Sequence, residues 1–231
     1  MSPSGPAEPR RRRFGIGFFF RTLGLIFVVV VILGLVYLLY PRPMLQSEPI
    51  EAPQAAAQVD HLRPVSDFDN IADLRARSVA LFEEAGRVIQ NPRCMNCHPR
   101  SDRPTQTDAV RAHTPWVSRG FDGGGEPTMR CSTCHQNENI EASGVPGNPL
   151  WHLAPIEMAW QGKTLGEICE QLLDPARSGM SREELLHHMA EDELVGWAWN
   201  PGGDRTPAPG TQQEFGAIIA AWLDTGGACP Q

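Results

Sequence analysis

Cys94-Met95-Asn96-Cys97-His98 recurs, with identical spacing, as Cys131-Ser132-Thr133-Cys134-His135. Each is a Cys-x-x-Cys-His motif, the attachment signature of a c-type haem. Two cysteine sulfurs form thioethers with the porphyrin, and the histidine that follows is placed under the iron as its proximal ligand. Two copies predict two haem c groups. Cys94, Cys97, Cys131 and Cys134 would attach them, with His98 and His135 on the irons. Zinc is the competing reading, but paired cysteines in zinc ribbons are separated by about 15–20 residues. Here 33 residues lie between Cys97 and Cys131. A four-cysteine zinc site also has no use for His98 and His135.

Upstream of the motifs the chain changes character. Arg10 to Arg13 form a basic block, and residues 22–40 run for 19 positions without a charge, close to the roughly 20 apolar residues of a membrane-spanning helix. Tyr37 and Tyr40 stand where aromatic residues anchor at the lipid boundary. The run is longer than the roughly 7–15 apolar residues of a cleavable signal peptide, so the expectation is an uncleaved anchor. The organisation read from this is a cytoplasmic N-terminus (1–13), a transmembrane anchor (14–40), a Pro-rich linker (41–64) and a dihaem domain (65–231). The positive-inside rule then places the domain on the periplasmic side of an inner membrane.

Residues 1–40 hold five arginines and one glutamate, so residues 41–231 carry −11 of the whole chain's −7. An acidic domain has no electrostatic reason to bind nucleic acid; redox proteins and the membrane are the partners expected. Of six cysteines, Cys169 and Cys229 remain outside the motifs. They read either as a disulfide, which an oxidising space permits, or as two buried thiols.

Helical periodicity runs from about Asp67 to Gln90 and stops at Asn91-Pro92. Capping boxes at Thr164/Glu167, Ser181/Glu184 and Thr211/Glu214 predict helices over about 164–173, 181–191 and 212–224. Residues 99–130 are rich in proline and glycine, and no strand alternation of useful length occurs. The fold class expected is mostly α with long loops, a cytochrome c-like dihaem domain behind one N-terminal transmembrane helix.

The sixth position of each iron is the open question. His113 lies in the loop between the motifs, and this layout resembles small multihaem cytochromes with two-histidine ligation. His152 sits in an apolar setting, where an unpartnered imidazole is costly. These two are the first choices as distal ligands. His188 and Met158 are the alternatives, and a thioether would raise the reduction potential. His61 and His187 are weaker candidates. Met129, Met180 and Met189 read as core filler, and the six tryptophans as packing around porphyrin edges.

Three segments go further: 91–99 around the first motif, Pro149-Leu150-Trp151-His152-Leu153-Ala154-Pro155, and Leu194-Val195-Gly196-Trp197-Ala198-Trp199. Over about residues 68–230 the chain resembles bacterial cytochrome-like proteins labelled isoquinoline 1-oxidoreductase subunit. That resemblance implies an electron-transfer partner of a molybdenum hydroxylase. No molybdopterin-binding or iron–sulfur cysteine pattern is present, so the chain reads as a carrier subunit rather than an enzyme. It would pass electrons from such a dehydrogenase toward the respiratory chain. The alternatives are a dihaem peroxidase-like enzyme, which needs a displaceable sixth ligand, and a haem-based sensor.

Overall fold

The structure, a computed structural model, describes residues 28–33, 35 and 61–231. Among the described residues no helix is long and apolar enough to cross a membrane. The described part of the apolar run, residues 28–33 and 35, is helical, and no described helix reaches the length of a bilayer span. This corrects the expected architecture of a haem domain behind one transmembrane helix, and with it the single-pass, inner-membrane, periplasm-facing location. The remainder of the anchor reading (14–40), the cytoplasmic segment (1–13) and residues 41–60 of the linker lie outside the described residues. The chain divides into two units, Met1–Glu48 and Pro49–Gln231, and both motifs lie in the second.

Helix α1 spans Leu74–Ile89 and starts later than its periodicity suggested. Asp73 marks the boundary: its side chain accepts from the Ala76 amide at 2.7 Å, satisfying a donor at the helix start that has no partner within the helix. Val65–Phe68 form a separate 3₁₀ turn that buries Phe68. The bend between them is held by Arg77, which donates to the carbonyls of Asp69 and Ile71. After α1, Asn91 caps a one-turn helix α2, Pro92–Met95, with Pro92 in its first turn, where a missing N–H costs nothing.

Downstream, α3 (Leu165–Leu173), α4 (Pro175–Ser178), α5 (Arg182–Glu191), α6 (Glu193–Gly196) and α7 (Gln212–Asp224) follow. Thr164 and Ser181 form complete capping boxes with Glu167 and Glu184. The third box is half formed. Thr211 accepts from the Glu214 amide, but the Glu214 carboxylate takes the Thr211 hydroxyl instead of the backbone amide.

Helix α7 packs against α1 and α5. Its Phe215, Ile218, Ile219 and Trp222 are buried together with Leu81, Phe82, Ile168 and Leu185. The Phe82 and Trp222 rings meet at 4.6 Å. Cys169 on α3 is disulfide-bonded to Cys229 in the C-terminal tail. Gly166 lets the tail pass close, since a Cβ there would lie 2.3 Å from the Pro230 carbonyl oxygen.

The loop region carries two hairpins that sequence alternation could not signal, because each strand has two residues. Strand β1 (Thr105–Gln106) pairs antiparallel with β2 (Arg111–Ala112), and β3 (Gly125–Glu126) with β4 (Met129–Arg130). The first hairpin ends at His113 and the second at Cys131. In this way the two loops deliver chemistry-bearing residues to the same side of the helical core.

Candidate functional site

Both motifs fold the same way. In the first, the amides of Cys97 and His98 each donate to the Cys94 carbonyl at 3.1 Å. In the second, those of Cys134 and His135 donate to the Cys131 carbonyl at 3.1 and 2.9 Å. Each motif is therefore a single tight turn that places its histidine one turn beyond its first cysteine.

The environment of each histidine repeats as well. His98 Nδ1 donates to the Met158 carbonyl at 2.7 Å, and His135 Nδ1 donates to the Pro146 carbonyl at 2.7 Å. A carbonyl only accepts, so Nδ1 carries the proton and Nε2 keeps a free lone pair, the arrangement that readies an imidazole for a metal. Each ring also stacks on an indole. His98 lies 3.5 Å from Trp160 at 8° between planes, and His135 lies 4.5 Å from Trp151 at 9°. Burial pushes the His98 imidazole down to about 3 and lowers that of His135, so both are neutral near pH 7.

The segment from Trp151 to Gln161 contributes to both environments. The Leu153 amide donates to the Gly123 carbonyl, the Ala154 amide to the Cys97 carbonyl and the Trp160 amide to the His98 carbonyl. Gln161 Nε2 donates to the Met95 carbonyl at 3.1 Å. The buried Arg119 ties the Pro99, Ser101 and Ala154 carbonyls together from behind.

His113 stands across from His135, with ring centres 6.0 Å apart. It is pinned on every side: its amide donates to the Pro104 carbonyl, its carbonyl accepts from Arg103, and its Nδ1 donates to the Pro115 carbonyl at 2.9 Å. His152 shares the pattern, with Nδ1 on the Leu150 carbonyl. His188 differs, since its Nδ1 faces Asp192 at 3.4 Å, a carboxylate–imidazole pair of the kind that backs metal-bound histidines. Both His152 and His188 line the cavity beside His98. His187 points to Glu191 on the surface, and His61 is exposed.

Met158, the other alternative distal ligand, stands apart from the histidines. Its side chain is buried in the core and lines neither cavity, and its contribution to His98 comes through its backbone carbonyl. The role of Met158, Pro146 and Leu150 as carbonyl partners had no sequence signal, because any residue type can supply a carbonyl.

Two cavities adjoin the motifs. One of about 670 Å³ is lined by Cys131, Cys134, His135 and His113; one of about 90 Å³ is lined by Cys94, His98, His188 and Trp160. Arg93, Cys97, His152 and Trp197 border both.

A haem fits the second motif in both donors and space, since 670 Å³ lies within the range of cofactor pockets. Around the first motif the donors fit. The 90 Å³ space is short of a macrocycle unless the shared wall gives way. Three of the five described buried polar atoms without a partner belong to lining residues: Arg93 borders both cavities, Asn96 the larger and Trp160 the smaller, while Arg119 and Gln171 line neither.

Among the described residues no three His, Cys, Asp or Glu side chains group so as to hold a metal ion. Zinc needs four such ligands as a rule, with deprotonated thiols. Burial instead pushes the Cys94 thiol up to about 12 and the Cys97 thiol up to about 11. A porphyrin brings four nitrogens of its own and asks the chain for one or two. No family model, curated protein or solved structure matches the chain.

Proposed function

We propose that this chain is a dihaem c-type cytochrome that carries electrons between protein partners. The observation that carries the reading is the facing pair His113 and His135, 6.0 Å apart between ring centres, each with Nδ1 donated to a backbone carbonyl. Each haem, when bound, supplies a one-electron Fe(III)/Fe(II) couple. Cys94 and Cys97 attach one group and Cys131 and Cys134 the other, with His98 and His135 proximal.

His113 is the distal ligand at the second motif. At the first, His188 is favoured over His152. It is half-buried, burial lowers its pKa, and Asp192 backs its ring, whereas His152 is exposed. With these histidines the chain would offer each iron two imidazoles, each held in one orientation by its own hydrogen-bond or ion-pair partner, so that little would rearrange when the charge changes. The shared border of Arg93, Cys97, His152 and Trp197 supports electron passage between the two centres, because tunnelling falls steeply with distance. By resemblance, the donor is a molybdenum hydroxylase-type dehydrogenase and the acceptor a component of the respiratory chain.

The test is a reduced-minus-oxidised absorption spectrum of the full chain matured with haem, before and after carbon monoxide, with mass spectrometry of the intact chain. Two attached haems, both low-spin and inert to carbon monoxide, are expected. A centre that binds carbon monoxide would favour a peroxidase-like or sensing role. A chain that attaches no haem, or that retains zinc, overturns the reading.

A further inference from the structure

Large apolar side chains are exposed unevenly along the chain. Among the described residues from 61 onward, Trp116, Phe121, Met129, Ile140 and Leu150 all fall within residues 116–150. Leu74 precedes them and Ile156 follows, and none lies within residues 75–115, which hold the first motif. Phe121 is 92% exposed and Trp116 70%. Rings of that size left together in water favour association with another surface.

The five are placed round the second motif. Met129 lines the larger cavity, as do Pro115 and Val117 on either side of Trp116, and Trp151 next to Leu150. Phe121 lies in the turn that the Gly125 amide closes on the Arg119 carbonyl. The same turn brings the Gly123 carbonyl to 3.9 Å from Cys131 Sγ. Ile140 pairs with Val145, another lining residue. Cys134 is the one exposed cysteine of the four in the motifs.

The charge on this rim selects what can cover it. Asp122 and Arg130 neutralise each other. Arg103 and Arg205 are half-buried and donate to backbone carbonyls. The exposed charges left without an ion pair among the described residues are Glu126, Glu138, Glu141 and Asp204 against Arg111. Behind them stands a region, residues 41–231, of net charge −11. A second copy and an anionic lipid surface are both repelled by that field, whereas a basic protein is drawn to it.

We propose that Trp116, Phe121, Met129, Ile140 and Leu150 form the docking surface for a redox protein with a basic face. Electrons then cross between the two proteins at the second centre, one at a time, with no bond made or broken. This rests on the dihaem reading.

The experiment measures binding of the full, haem-loaded chain to an immobilised small basic cytochrome c and to an acidic ferredoxin, at low and high salt. Haem content is measured first. Stopped-flow mixing of the reduced chain with the oxidised basic cytochrome gives the electron-transfer rate beside the affinity. The basic probe should bind more tightly than the acidic one, and less tightly as salt rises. Phe121→Ser and Trp116→Ser should each weaken affinity and rate about tenfold, the scale of an interface hot spot. Both side chains are exposed, so neither change opens the core. The combined Glu126→Gln, Glu138→Gln and Glu141→Gln variant should flatten the salt dependence. Leu74→Ser, an equally exposed position on α1, should behave as wild type. A loaded chain for which Phe121→Ser and Trp116→Ser match Leu74→Ser overturns the docking surface and leaves the dihaem reading standing. So does preference for the acidic probe, self-association that Phe121→Ser abolishes, or binding to vesicles containing anionic lipid. A wild-type chain without haem overturns both.

Discussion

Replacing His113 by alanine removes the imidazole whose ring centre lies 6.0 Å from that of His135. Two imidazoles on one metal, each with a metal–nitrogen distance of about 2 Å and a ring centre about 1 Å behind the nitrogen, stand roughly 6 Å apart. The observed span therefore suits one metal ion between them. The cost to the fold is small. The backbone of His113 is held by Pro104 and Arg103 whatever the side chain, and the side chain's hydrogen bond is to Pro115, worth about 1 kcal/mol. On the proposed dihaem reading, the cost to the site would be one axial ligand at one of two centres. Half of the haem should change from low-spin to high-spin, and carbon monoxide uptake should rise from none to one per chain. The assay is the carbon monoxide difference spectrum at measured haem content, beside a thermal melt showing a shift of only a few degrees. His113→Met should keep that centre low-spin and raise its potential. A His113→Ala chain that holds two haems, stays fully low-spin and ignores carbon monoxide would refute the pairing of His113 with His135.

The Arg130 guanidinium and the Gly124 amide hold the Asp122 carboxyl well below the usual carboxylate range, at about 2. A depressed native value stabilises the fold above the ordinary carboxylate pKa and loses that contribution as pH falls toward the native one. The turn before Cys131 should thus loosen between about pH 4 and pH 2; a carboxyl NMR titration of Asp122 with its midpoint near 4 would count against this. Replacing Cys169 and Cys229 by serine opens a loop of sequence separation 60, which loop-closure entropy puts at about 4 kcal/mol. Denaturant unfolding should show a loss of that order, with the haem spectrum unchanged because the bridge lies between α3 and the tail. Gly123→Ala meets a left-handed φ of 77° and a Cβ 2.3 Å from the Leu153 carbonyl oxygen, a strain of about 1–3 kcal/mol before any clash. It should disturb the second haem's spectrum more than the first's, since Leu153 follows Trp151 by two residues.

What could be read from the residues alone was whatever is local. Thr164 and Ser181 announce their helices because a capping box is complete within four positions, and the face of α7 shows in the spacing of Phe215, Ile218 and Trp222. Non-local partners left no trace. That Met158 and Pro146 offer carbonyls to His98 and His135 depends on where loops come to rest, since every residue has a carbonyl. Phe68 and Ile71 fit the helical period, yet the helix begins only where the Asp73 side chain caps it. The unbroken apolar run predicts an anchor, whereas among the described residues no helix is long and apolar enough to cross a membrane. Arg93 passed unnoticed beside Cys94 because an arginine reads as surface until its burial is known.

The stretch from Trp151 to Gln161 binds the two sites into one device. Trp151 stacks on His135, Ala154 holds Cys97, Met158 and Trp160 hold His98, and Gln161 reaches Met95. These contacts fall within eleven successive positions of sequence. A shift in this segment cannot reorient one proximal imidazole without loading the other, because interiors this closely packed transmit displacement. Substitution at one motif should therefore be felt at the second through this strap. Trp151→Leu tests this, because it removes the His135 stack. If Trp151→Leu alters the line shape of the first centre as well as the second, the strap carries the coupling. If only the second responds, the strap positions each histidine separately.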